Sequence, residues 1–301
     1  MNSVEAFENN VNSQVGFLTK FKPQKQLSIQ QQKRAVFCGA GDSLASAMLA
    51  ESFSDFKTRA MDPLDLIKNK KLADGRSLYF VSISGRTVSN IKAAGLTKKT
   101  TAITKNTTSP LAKICRNIIP LQYQDSGVLT AGSIDFLESM LTCISLVSAV
   151  KIKKPQWLFL TAKNQAKKIV LKNKIYFLGN QHTYPLTMYA AAKVYEMLGF
   201  DAHYERIEQF LHMGLFSTKK GDTVIIFERP NKHNKQIASQ LKKLGLTVYN
   251  PTIDSDKISE AVFYTFLSQL VVLYRAKKRR LSECYFFTEK KTQNASSAMI
   301  Y

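Results

Sequence analysis

Residues 77–87, Ser-Leu-Tyr-Phe-Val-Ser-Ile-Ser-Gly-Arg-Thr, set the hydroxyls of Ser82, Ser84 and Thr87 and a single glycine directly after an apolar run. That arrangement is suited to holding phosphate. Leu78 to Val81 predict a buried parallel strand, and open parallel sheets bind ligands beyond the carboxyl ends of their strands. Gly85 lets the backbone approach an anion closely. A helix beginning near Thr87 would turn unpaired N–H groups and partial positive charge toward that anion. The competing reading is that these serines only cap the helix. A second stretch of the same build, Gly39-Ala40-Gly41-Asp42-Ser43, follows the apolar Ala35-Val36-Phe37-Cys38. A dinucleotide-binding fingerprint would need a further glycine three positions after Gly41, and that position is Leu44.

The elements that must carry these loops follow from periodicity. Helices are predicted over 4–21, 43–53 and 133–150, the last with Ile134, Leu137, Leu141 and Ile144 on one face. Strands are predicted over 35–38, 78–83, 100–104 and 117–121. The charged stretch 151–154, ending at Pro155, reads as a linker. A second half repeats the plan: a helix from near Trp157, strands over 174–178, 200–204, 222–227 and 246–250, and helices over 186–198, 232–244 and 259–277. Alternation of this kind implies an α/β chain of two doubly wound, flavodoxin-like parallel-sheet domains in tandem, 1–152 and 153–301. The first would anchor phosphate and the second would supply catalytic groups.

At 301 residues the chain has room for two cores. No apolar run approaches the roughly 20 residues that span a bilayer, and residues 1–5 lack the pattern of a leader peptide, so a cytoplasmic protein with no membrane partner is expected. The four cysteines are scattered without C-x-x-C spacing, and His203 and His233 stand alone, so neither a disulfide framework nor a metal site is expected. A net charge of +21 raises nucleic-acid binding, but the basic residues are dispersed and carry no recognisable motif. Nucleic acid is therefore not the expected partner. Attraction of anionic metabolites is.

Together these blocks resemble the sugar isomerase (SIS) domain family, in which two such domains form the isomerase module of glucosamine-fructose-6-phosphate aminotransferase and the archaeal phosphoglucose/phosphomannose isomerases. The resemblance rests on Gly39–Ser43, on Ser82-Ile83-Ser84-Gly85-Arg86-Thr87, on Val128-Leu129-Thr130-Ala131-Gly132-Ser133, and on Phe177-Leu178-Gly179 followed by Tyr184-Pro185 with Lys193 and Glu196 downstream. It implies a five-stranded sheet in each half, a homodimer, and a role in carbohydrate metabolism. It also implies phosphate binding by Ser43, Ser82, Ser84 and Thr87, with the sugar pocket lined by Gly41, Ala131, Ser133 and Gln209. Arg86 either adds a charge-assisted contact to the phosphate or is simply solvated.

The activity so implied is aldose-ketose interconversion of a hexose or aminohexose 6-phosphate through a cis-enediol, without cofactor. It requires a carboxylate base near C1 and C2 and a group that assists ring opening. The family pattern of a glutamate before a histidine-glycine pair falls on the segment 204–214. Ungapped alignment on His212 puts Gln209 at the glutamate position, and a one-residue shift restores Glu208. Glu208 is the expected base, Glu205 the fallback and His212 the ring-opening acid, against the reading that the carboxylates serve the first turn of a helix. Serine stands at Ser296, where the aminotransferase carries a lysine, which excludes a Schiff base at that position; Lys290 and Lys291 are nearby. No cysteine-led glutaminase domain precedes these blocks, so glutamine-dependent ammonia transfer is not expected. The alternatives are a non-catalytic phosphosugar sensor or regulatory subunit, favoured by Gln209 and Ser296, and a glucosamine-6-phosphate deaminase-type enzyme.

Overall fold

The computed structural model describes residues 1–300, and the chain forms two compact units, each built on its own parallel sheet. One unit comprises Phe21–Gln124, Ile134–Val150 and the segment from Lys290 onward. Its strands are β1 (Ala35–Cys38), β2 (Arg59–Met61), β3 (Ser77–Val81), β4 (Thr100–Thr104) and β5 (Asn117–Pro120), in the order β2-β1-β3-β4-β5 with every neighbouring pair parallel. Val36, Phe37, Leu78 and Phe80 are fully buried, as a strand covered on both faces requires. The chain leaves β1 toward β2 and then returns to β3, so the order reverses between β1 and β3. Cys38 pairs with Phe80, which brings the loops after these two strands side by side.

Helix Ile134–Ser145 carries the four apolar residues expected of it, all buried. It also buries Glu138, whose carboxylate accepts from the backbone N–H of Gln122 (2.9 Å) and Tyr123 (2.8 Å) and so fixes the chain leaving β5. Burial raises the Glu138 carboxyl, and those two donors and the charge of Lys105 oppose the rise.

The other unit comprises Met1–Lys20, Asp125–Ser133 and Lys151–Glu289. Its strands β6 (Ile175–Leu178), β7 (Ala202–Glu205), β8 (Thr223–Ile226) and β9 (Thr247–Tyr249) run in the order β7-β6-β8-β9, again all parallel. The 22-residue helix Lys257–Lys278 is buried along most of its length and packs on helices Pro155–Ala166 and Tyr184–Leu198. The amino-terminal helix Ser3–Lys20 lays Val4, Phe7, Val11 and Leu18 into the same core, and Gln14 Nε2 donates to Gln269 Oε1 at 2.8 Å.

Every strand expected from the sequence is present, with ends moved by at most two residues. The second sheet has four strands, where the resemblance implied five. The three-residue β2 was not anticipated, because an exposed edge strand beginning with Arg59 shows no apolar run. The compact units also depart from a division at 152/153. The apolar face of Ser3–Lys20 is satisfied by Lys257–Lys278, and the segment from Lys290 is grouped with the five-stranded sheet. Pro155 opens a helix after the linker, a position where its missing N–H costs nothing.

Candidate functional site

In the five-stranded unit the two expected loops lie at the reversal of strand order, where such sheets bind ligands. A Cβ at Gly39 would lie 2.6 Å from the backbone carbon and oxygen of Ser43, so only glycine lets helix Asp42–Phe53 start this close to β1. Gly41 adopts φ +57° and presents the turn to solvent. In the loop after β3, Gly85 (φ +63°) sits against Ser109, and its N–H donates to the buried Ser82 Oγ at 3.2 Å. Ser82 Oγ is also 3.5 Å from Thr87 Oγ1, and Ser84 Oγ accepts from the Arg86 N–H at 3.3 Å. Thr104 Oγ1, at the end of β4, donates to the Ile83 carbonyl at 3.1 Å and pins the loop from beside. The loop is therefore shaped by its own hydroxyls, with Ser43, Ser84 and Thr87 half-buried and Arg86 exposed. Helix Val88–Ala94 follows without a side-chain cap from Thr87, contrary to the capping alternative.

The four-stranded unit holds the other expected residues. Ala131 and Ser133 are buried in the segment 125–133. The Gly132 carbonyl between them accepts from Tyr189 Oη at 2.8 Å, and Gln269 Nε2 donates to the Ser133 carbonyl at 3.4 Å. Tyr189 stands on helix Tyr184–Leu198, and its ring faces the ammonium of Lys193 at 4.9 Å. Lys193 is completely buried and donates at 2.5 Å to Glu196, whose carboxylate keeps 35 % of its exposure. A chain of contacts thus runs from the segment 125–133 through Tyr189 and Lys193 to Glu196.

Glu208 and His212 occupy the short helix Ile207–His212 and contact each other at 3.1 Å, with side chains 66 % and 70 % exposed. Glu208 lies in the first turn of that helix, and Gln209 beside it is exposed. Glu205 ends β7 half-buried, with its carboxylate filling the space that a Cβ on Gly214 would take. Burial raises its carboxyl above the usual glutamate range, and the His203 charge opposes part of the rise. Ser296, Lys290 and Lys291 are exposed on the carboxyl-terminal segment.

A third cluster was not singled out by sequence reasoning. Glu260, 6 % exposed on helix Lys257–Lys278, accepts from Arg229 Nε and lies 3.0 Å from His182 Nε2. Burial alone would raise its carboxyl, but hydrogen bonds and charge from His182 and Arg229 outweigh burial and hold it below the ordinary value of 4.5. A carboxyl lowered in the folded state adds stability that is complete above the unfolded value and is lost as pH falls through the folded one. Glu260→Gln is expected to cost about 1.5–3 kcal/mol at neutral pH. In urea unfolding the deficit should shrink toward zero near about pH 3; an equal deficit at both pH values would show that the charge is not its source.

Among the described residues no group of three or more His, Cys, Asp or Glu is placed to hold a metal ion, and no helix is long and apolar enough to cross a membrane. All four cysteines are free and buried.

The paired sheets and the loops at their points of reversal define a fold shared with solved proteins of sugar-phosphate metabolism. The chain is similar to glucosamine-6-phosphate deaminase from Thermotoga maritima (TM-score 0.74, 19% identity, 94% of this chain and 96% of that one). It is also similar to the C-terminal domain of glucosamine-fructose-6-phosphate aminotransferase from Francisella tularensis (0.68, 16%, 93% and 95%). Tagatose-6-phosphate ketose/aldose isomerase from Escherichia coli aligns as well (0.63, 15%, 93% and 91%). No protein-family model matches the sequence, and no curated protein matches it. At these identities the likeness is one of fold.

Proposed function

We propose that the protein binds a hexose or aminohexose 6-phosphate and interconverts its aldose and ketose forms. The phosphate is held by Ser43, Ser82, Ser84 and Thr87, with Arg86 at the rim, and Gly41, Ala131 and Ser133 border the sugar. The observation that carries the reading is the buried Lys193 paired with Glu196 and joined through Tyr189 to the segment 125–133. A buried ammonium is costly to desolvate and adds little net stability, so its retention points to chemistry. Glu196 takes the proton from C2 of the open-chain aldose and returns it to C1, while the C2 hydroxyl proton passes to the former carbonyl oxygen. Lys193 stabilises the negative charge that develops on the enediol oxygens. Carbon 1 is reduced and carbon 2 oxidised, with no external electron acceptor.

A second reading keeps Glu208 as base and His212 as ring-opening acid, favoured by their 3.1 Å contact, with a homodimer partner covering their exposed faces. The likeness to a glucosamine-6-phosphate deaminase extends the proposed substrate range to aminosugars, where loss of ammonia accompanies isomerisation.

Proton NMR in D2O with glucose 6-phosphate, fructose 6-phosphate, mannose 6-phosphate and glucosamine 6-phosphate tests the proposal. Deuterium at C1 or C2 of at least one sugar is the expected result. Sugar signals that shift on binding without any exchange would replace the enzyme with a phosphosugar sensor.

A further inference from the structure

The four-stranded unit repeats the build of the phosphate loops at its own point of reversal, between β6 and β8. Gly179 follows β6 as Gly39 follows β1, and a Cβ on it would lie 2.7 Å from Thr183 Oγ1, four residues on, just as Gly39 abuts Ser43. Two residues after each glycine φ is positive, at Gly41 (+57°) and at Gln181 (+46°). A glutamine held in that conformation is strained where a glycine is not, so the turn is maintained against a cost. The hydroxyl of Thr183 is engaged with Asn180, accepting from its N–H (3.0 Å) and donating to its carbonyl (2.8 Å). Where the loop after β3 has serines, the loop after β8 has Glu228, Arg229 and Asn231.

These loops and the start of helix Lys257–Lys278 line an open crevice of about 490 Å³. Small-molecule sites span roughly 300–1,000 Å³. The acidic groups lining it are already engaged. Glu260 is held by Arg229 and His182, while Glu228 accepts from Asn180 Nδ2 at 2.9 Å and Asn234 Nδ2 at 3.4 Å. The Arg229 side chain stays half exposed; its Nη1 lies 3.8 Å from the fully exposed carboxylate of Asp254, a solvated partner that an incoming anion would displace, and Lys257 is exposed at the rim. We propose that this crevice is a second ligand site, which takes a small metabolite by its phosphate or carboxylate through Arg229 and Lys257. Glu260 acts as the positioning residue that aims the guanidinium.

The site goes beyond the activity proposed above, and its test separates the two. Isothermal titration of the full chain carrying Ser82→Ala and Ser84→Ala, with glucose 6-phosphate and separately with gluconate, isolates the second site. At least one probe is expected to bind at one site per chain, and Lys257→Ala or Arg229→Ala should each weaken it about tenfold or more. Binding of glucose 6-phosphate alone assigns a phosphate ligand, and binding of gluconate alone a carboxylate. Lys257→Ala leaves the Glu260 contacts in place, so it remains decisive if Arg229→Ala lowers folding stability. Binding of neither probe, or binding indifferent to Lys257→Ala and Arg229→Ala, overturns the proposal.

Discussion

Glu196→Gln is expected to slow deuterium incorporation into the substrate by roughly 10²–10⁴-fold, the usual worth of a positioned general base. Binding of the sugar phosphate should be little changed, because the amide is nearly isosteric and the phosphate contacts are assigned elsewhere in the chain. The buried Lys193 would keep an acceptor in the amide oxygen, so the fold is retained. Glu208→Gln is the matched control. Its carboxylate is mostly solvated, and a solvated base gains little from its surroundings, so the expected change is within a few-fold. The opposite pattern, with Glu208→Gln silent in exchange and Glu196→Gln active, would move the base to the Glu208–His212 pair.

Gly85→Ala should abolish sugar-phosphate binding and lower stability by about 2–3 kcal/mol. Two costs add. At φ +63° an alanine is strained by about 1–2 kcal/mol. Its Cβ would also lie 2.0 Å from Ser109 Oγ and 2.5 Å from Ser109 Cβ. Ser109 cannot swing aside without loss, because its Oγ accepts from the Ala112 N–H at 3.2 Å and caps helix Pro110–Ile114. Relief must come from the loop itself, and the Gly85 N–H that orients Ser82 moves with it. Gly75→Ala is the control. Gly75 has φ +66° with nothing within 4 Å of the added carbon, so it carries the strain without the collision. Urea unfolding and glucose 6-phosphate titration of both variants separate the two costs. Equal stability losses, with binding intact in both, would show that the loop after β3 is not a phosphate cradle.

The parallel strands were legible because buried strands read as short apolar runs bounded by turn residues. Ala35 to Cys38 and Thr100 to Thr104 match the structure to the residue. The glycine turns after β1 and β3 were legible for a related reason: a glycine required by close approach leaves a mark in the sequence. The Lys193–Glu196 pair was quoted only as part of a resemblance, and its environment went unread. One signal was available. Leu186, Ala190, Lys193, Val194 and Met197 recur at helical spacing and all are buried, so a lysine stands within an apolar stripe. The Glu260 cluster draws His182, Arg229 and Glu260 from three separated segments, and no local pattern announces it. The grouping of the chain ends was illegible for the same reason, since it depends on partners more than 250 residues apart, such as Gln14 and Gln269.

That grouping sets an order of events during synthesis. The strands and the main buried helices of the five-stranded unit lie between residues 21 and 150, and the segment from Lys290 contributes no buried residue described in its helix. This unit can close while the ribosome is still translating the second half. Helix Ser3–Lys20 emerges well before its partners, and its contacts with Gln269, Ser282 and Cys284 form only once those residues, more than 250 positions further on, have been made. Val4, Phe7, Val11 and Leu18 therefore stay uncovered while the intervening chain is made, an apolar face exposed to association until its partners arrive.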